Sequence, residues 1–144
     1  MQPDQLQQDT VSCLEIVTTF YRHLDRGEFA QLDALMSRDG IYHRPDGNAV
    51  PAGPALIAAL SRRTATVTMA HLLSNLYAES TGPDSMDVHG YMTVFIHDDG
   101  KPHAGPAPMP SPKSIYNLNI SLVKIAGDWR ITRLKNSKRF AAVV

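Results

Sequence analysis

Residues 114–135, Ser-Ile-Tyr-Asn-Leu-Asn-Ile-Ser-Leu-Val-Lys-Ile-Ala-Gly-Asp-Trp-Arg-Ile-Thr-Arg-Leu-Lys, decide the fold class. Tyr116, Leu118, Ile120 and Leu122 alternate with Asn117, Asn119, Ser121 and Val123, the period of a strand with one face toward a core. Gly127-Asp128 is a two-residue hairpin turn, so the strand from Ser114 to Ala126 folds back onto one from Trp129 to Lys135. The same periodicity extends upstream, giving strands over Val67 to Glu79 and Met86 to His97 joined by the turn Gly82-Pro83-Asp84. Between the second and third strands, Asp98 to Pro112 holds five of the chain's ten prolines. Proline cannot donate to a strand ladder, so this segment is expected as a loop over one rim of the sheet.

The first half of the chain has helical spacing instead. Leu14, Val17, Tyr21 and Leu24 recur beside Ile16 and Phe20, which predicts a helix from about residue 4 to Leu24 or Asp25, ended by Gly27. Phe29, Leu32, Leu35 and Met36 predict a short second helix. Residues 39–44 predict a short strand closed by Pro45-Asp46-Gly47. Gly53-Pro54 opens a third helix with Leu56, Ile57 and Leu60 on its buried face. Three helices followed by four long antiparallel strands are expected to form one α+β domain over 1–144, with the helices on one face of the sheet.

Composition narrows the partners. Fourteen basic residues balance fourteen acidic ones, so no global field draws nucleic acid or an anionic membrane surface. No apolar run approaches the ~18 residues of a membrane span, and residues 1–10 lack the basic-then-apolar pattern of a secretory signal. A cytoplasmic protein is expected. Cys13 is the only cysteine and reads as a small core residue. The six histidines show no His-x-x-x-His or Cys-His spacing, so no metal is expected. Glycine-rich phosphate motifs are absent, so no nucleotide cofactor is expected either.

On a strand of period two, His71 shares a face with Leu73, Asn75 and Tyr77, placing an imidazole, an amide and a phenol together. Position alone leaves His71 as a core histidine satisfied by one hydrogen bond or as a proton carrier tuned near neutral pH.

A resemblance favours the second. Residues 21–29, Tyr-Arg-His-Leu-Asp-Arg-Gly-Glu-Phe, Leu-Asp-Ala-Leu-Met at 32–36, Ala70-His71-Leu72-Leu73-Ser74-Asn75, Gly90-Tyr91 and Ile125-Ala126-Gly127-Asp128-Trp129-Arg130-Ile131 are similar, in order and spacing, to the SnoaL-like family of the nuclear transport factor 2-like superfamily, which includes scytalone dehydratase. The resemblance implies a cone-shaped, strongly curved antiparallel sheet with about three helices on its concave face, a small-molecule pocket and a homodimer. It implies that His71 acts as acid/base and that Asp25 hydrogen-bonds and orients it. Tyr42 or His43 falls where the family has a tyrosine that polarises a substrate carbonyl, and a one-residue shift on a strand reverses the face, so either could supply the electrophile. His97 lies near a second active-site histidine, one residue short in spacing. Asn75, Tyr77, Tyr91, His97 and Tyr116 are the expected ligand-contacting residues. With Tyr116, Leu118, Ile120 and Leu122 inside, the substrate is expected to differ from scytalone.

Two functions remain open at this point. One is a cofactor-independent lyase or isomerase acting on a small, partly apolar carbonyl compound. The other is a non-catalytic ligand-binding protein or an assembly subunit of the ring-hydroxylating dioxygenase kind. An open pocket faced by both Asp25 and His71 favours the first, and a closed interior favours the second.

Overall fold

Helix α1, Pro3–Arg26, buries Asp9, Cys13, Val17, Phe20, Tyr21 and Leu24, one stripe at helical spacing. In the computed structural model, which describes residues 3–143, α1 is followed by α2 (Phe29–Asp33), β1 (Met36–His43), β2 (Ala49–Pro51), α3 (Pro54–Leu60), β3 (Thr68–Gly82), β4 (Ser85–His97), β5 (Ser114–Ile125), β6 (Asp128–Leu134) and β7 (Ser137–Ala141). The remaining positions of the expected domain, 1, 2 and 144, lie outside the described residues. The strands form a curved seven-stranded sheet in the order β2-β1-β6-β5-β4-β3, with β7 continuing along β5 beyond β6. As expected, β3, β4, β5 and β6 pair antiparallel in sequence, and the α+β class with three helices holds.

The core follows from the alternation. Met86, Val88, Met92 and Val94 of β4 and Tyr116, Leu118, Ile120 and Leu122 of β5 are buried against the α1 stripe, each large apolar side chain contributing roughly 1.5–3 kcal/mol. Cys13 is fully buried beside Met86 Sδ, 3.7 Å away. Burial pushes its thiol up to about 12, which keeps it a neutral packing group.

Four elements differ from the sequence reading. Helix α2 stops at Asp33, and Met36 opens β1. The Ile131 amide donates to the Leu35 carbonyl at 2.8 Å, so pairing with β6 captures the residues that helical spacing assigned to α2. β1 runs parallel to β6, not antiparallel. β2 and β7 were not foreseen, because three and five mostly exposed residues carry no alternation.

Candidate functional site

The site begins where α1 ends. Gly27 takes φ +72°, a left-handed conformation that glycine adopts freely, and Glu28 N–H returns to the His23 carbonyl at 2.9 Å. Arg63, from the segment after α3, donates to the Leu24 carbonyl at 2.5 Å and to the Asp25 carbonyl at 3.0 Å, and its guanidinium lies over the Phe29 ring. A cation on the negative end of the helix is stabilising there. The last turn of α1 is thus fixed, and Asp25 with it. The Asp25 carboxylate accepts two bonds from β3: the His71 backbone N–H reaches Oδ2 at 3.1 Å, and His71 Nδ1 stands 2.6 Å from Oδ1. Because a carboxylate accepts, this pairing places a proton on Nδ1, and in the neutral ring Nε2 then carries the lone pair. The imidazole is nine-tenths buried, tilted against the Tyr21 ring, whereas Asp25 is about a quarter exposed.

His71 lies on the wall shared by two adjoining cavities. One, of about 620 Å³, is also bordered by Leu24, Phe29, Tyr42 and Leu60. The other, of about 340 Å³, is bordered by Tyr42, His43, Tyr116 and Asn136. Such volumes suit a small organic molecule. Asp25 stands behind the imidazole and not on either wall, so the expectation that both members of the pair border the cavity holds for His71 alone. Tyr42 stacks on Phe20 with ring centroids 6.1 Å apart. Burial pushes its hydroxyl up to about 12, against a smaller opposing effect of Arg44, so the phenol remains a proton donor at neutral pH. His43, at the end of β1, reaches only the smaller cavity. Five cations also border these cavities, Arg44, Arg62, Arg63, Lys113 and Lys138, against one carboxylate, Asp46. Sequence reasoning missed them. They come from separated loops and strand ends, and a neutral total charge hides a local excess.

The profile of the SnoaL-like domain matches residues 7–135. The chain belongs to the SnoaL-like family. Sequence comparison with curated proteins finds no match. Among solved structures, a nuclear transport factor 2-like protein with a cystatin-like fold from Novosphingobium aromaticivorans superposes with a TM-score of 0.75 at 16% identity, covering 96% of this chain and 86% of that one. A candidate scytalone dehydratase from the same organism gives 0.73 at 15% identity, covering 98% and 91%. A Catenulispora acidiphila protein in complex with S-DNPA gives 0.69 at 16% identity, covering 89% and 91%. At these identities the likeness is one of fold.

In this SnoaL-like protein the expected common face of His71, Leu73, Asn75 and Tyr77 breaks after Leu73. Between Ser74↔Tyr91 and Tyr77↔His89, β3 advances three residues while β4 advances two, a β-bulge. Asn75 takes φ +55° at the bulge. Inward packing therefore passes from Met69 and Leu73 to Leu76 and Ala78, and Asn75 and Tyr77 turn outward. They border an outer depression with His89, Tyr91 and Asn117, on the opposite side of the sheet from His71. Gly90 permits this, because a Cβ there would lie 2.7 Å from Leu76 Cδ2 and 2.9 Å from the Ser74 carbonyl oxygen. His97 is also off the cavity walls. Met92, Val94 and Ile96 of β4 border the smaller cavity, so His97 falls on the other face. Of the residues expected around a ligand, Tyr116 alone shares a cavity with His71.

Proposed function

We propose that this SnoaL-like protein is a cofactor-independent lyase or isomerase that moves a proton on a small, partly apolar carbonyl compound. The observation that supports this is the 2.6 Å contact of Asp25 Oδ1 with His71 Nδ1, beside a cavity whose wall includes the same imidazole. His71 Nε2 takes a proton from the carbon next to the substrate carbonyl, and the electron pair of that C–H bond forms an enolate. Asp25 stabilises the imidazolium that results and keeps the ring oriented. Tyr42, protonated, donates to the enolate oxygen, and the surrounding cations favour the same negative charge. The imidazolium then returns its proton, either to a β-hydroxyl that departs as water or to another carbon of the substrate. The first outcome is a dehydration and the second an isomerisation.

Proton transfer can be tested before the substrate is known. Hydroxylated aryl ketones incubated with the protein in deuterated water are expected to exchange their α-hydrogens faster than in buffer, as followed by proton NMR. His71→Ala is expected to remove that acceleration. Binding with no exchange by the wild type across such ketones would favour a ligand-binding protein instead.

A further inference from the structure

Away from the cavity, three side chains with metal-ligating atoms converge where β4 runs into the proline-rich loop. The ligand atoms of His97, Asp99 and His103 all lie within 4.8 Å of one another. His103 Nε2 stands 3.2 Å from Asp99 Oδ1, and His97 Nε2 stands 3.6 Å from Asp99 Oδ2. The second distance is beyond hydrogen-bond reach. His97 Nε2 is shielded from solvent and has no hydrogen-bond partner among the described residues. A buried polar nitrogen without a partner is destabilising, and an ion bound to its lone pair would remove that penalty.

The spacing fits such an ion. Donors held about 2.1 Å from a tetrahedral centre stand about 3.4 Å apart, and the His103 and His97 nitrogens stand 3.2 and 3.6 Å from the Asp99 carboxylate, one from each of its two oxygens. The turn is held independently of any ion. Asp98 accepts from Thr66 Oγ1 at 2.7 Å and from Gly100 N–H at 3.0 Å, and Asp99 Oδ1 accepts from Lys101 N–H at 3.0 Å. The two imidazole rings stand 5.2 Å apart at 62°, edge toward face, so their nitrogens can meet at one point without the rings clashing. We propose that His97, Asp99 and His103 form a site for a late first-row divalent cation such as Zn²⁺, bound by two imidazole nitrogens and the Asp99 carboxylate, with a remaining position for water. The pattern in sequence is His-x-Asp-x-x-x-His, which a search for His-x-x-x-His passes over. The site is on the outer face, separate from His71. An ion there would fasten the Asp98–Pro112 loop to the end of β4, and that loop leads into Lys113 on the cavity wall.

The test is a titration of the untagged full chain with Zn²⁺ by isothermal calorimetry, with Co²⁺ as an absorbing probe. The expected result is one ion per chain with a Kd on the order of 1 μM or tighter, and visible bands of four-coordinate Co²⁺. His97→Ala, Asp99→Asn and His103→Ala are each expected to weaken binding by about tenfold or more. His89→Ala, whose imidazole faces Glu79 elsewhere on the sheet, is expected to bind as the wild type does. Zn²⁺ is also expected to slow proteolysis within residues 98–112 of the wild type but not of His103→Ala. No saturable binding below about 100 μM Zn²⁺ would overturn the proposal. So would binding that His103→Ala leaves unchanged. Because His103 lies on the loop, that variant decides the matter even if His97→Ala disturbs the strand end.

Discussion

Helix α1 presents two aspartates to the sheet, one near each end, and they do different work. Asp9 is 3% exposed. It accepts from Trp129 Nε1 at 3.0 Å, from Gln5 Nε2 at 3.0 Å and from Lys124 Nζ at 3.3 Å. Asp25 accepts from the His71 amide and faces its ring. Each carboxylate ties the helix to a strand, and each is well satisfied. The difference lies in the partner. The indole of Trp129 has a single N–H, and that donor is used on Asp9. An imidazole has a second nitrogen, and a cavity adjoins the ring that carries it. The same kind of contact is therefore a structural tie at one end of α1 and a candidate proton relay at the other.

The largest effect is expected from removing the ring that makes the two ends unlike. His71→Ala is expected to lower proton-exchange activity by roughly 10²–10⁴-fold while leaving the thermal midpoint within a few degrees of the wild type. Full activity in that variant would make Asp25 a structural tie like Asp9. Asp25→Asn is the milder form of the same break. The amide keeps the shape but cannot supply the charge that stabilises imidazolium, so kcat is expected to fall by less than in His71→Ala. The pH dependence is expected to change with it, a readout that a purely structural role would not move.

These contrasts show what could be read from the chain. The antiparallel strands, the proline loop and the first and third helices were legible because alternation, turn residues and helical spacing are local. So was Asp25 with His71, although 46 residues separate them, because resemblance supplied the pairing. The parallel contact of β1 with β6 was not legible, since nothing local marks a partner about 90 residues away. The outward turn of Asn75 and Tyr77 was hidden for another reason. A single extra residue reverses a strand's faces, and the signs of it were an asparagine that tolerates φ +55° and a glycine across the ladder at position 90.

At the structural end, Asp9→Ala is expected to cost about 2 kcal/mol of stability, because it strands the buried Trp129 N–H and unpairs Lys124. Proton-exchange activity per folded molecule is expected to remain at the wild-type value. Chemical denaturation of the variant beside its activity measures both. A loss of activity without a loss of stability would mean that the two ends of α1 are coupled to the cavity alike.

The smallest effect is one of pH, and it isolates the charge at position 9. Burial pushes the Asp9 carboxyl up, but the hydrogen bonds from Trp129, Gln5 and Lys124, with the charge of Lys124, outweigh it and hold the group below its ordinary range. A folded-state value below the unfolded one means that the unfolded chain binds the proton more readily, so this group's contribution to stability rises with pH. It is fully present above the unfolded value of about 4 and is lost as pH falls through the folded value. Asp46, Asp98 and Asp99 are held low as well, by bonds from Asn48 N–H, from Thr66 and Gly100, and from Lys101 N–H. The acid limb of the wild type alone therefore cannot be credited to Asp9. A comparison with Asp9→Asn removes them, because they act equally in both proteins. Asparagine keeps an acceptor for the indole but loses the charge facing Lys124. The variant is expected to be less stable than the wild type at pH 6, with the gap narrowing steadily below about pH 4. Urea unfolding at a series of pH values follows it. A gap that stays constant down to pH 2 would show that Asp9 contributes through shape and hydrogen bonding alone, with nothing added by its charge.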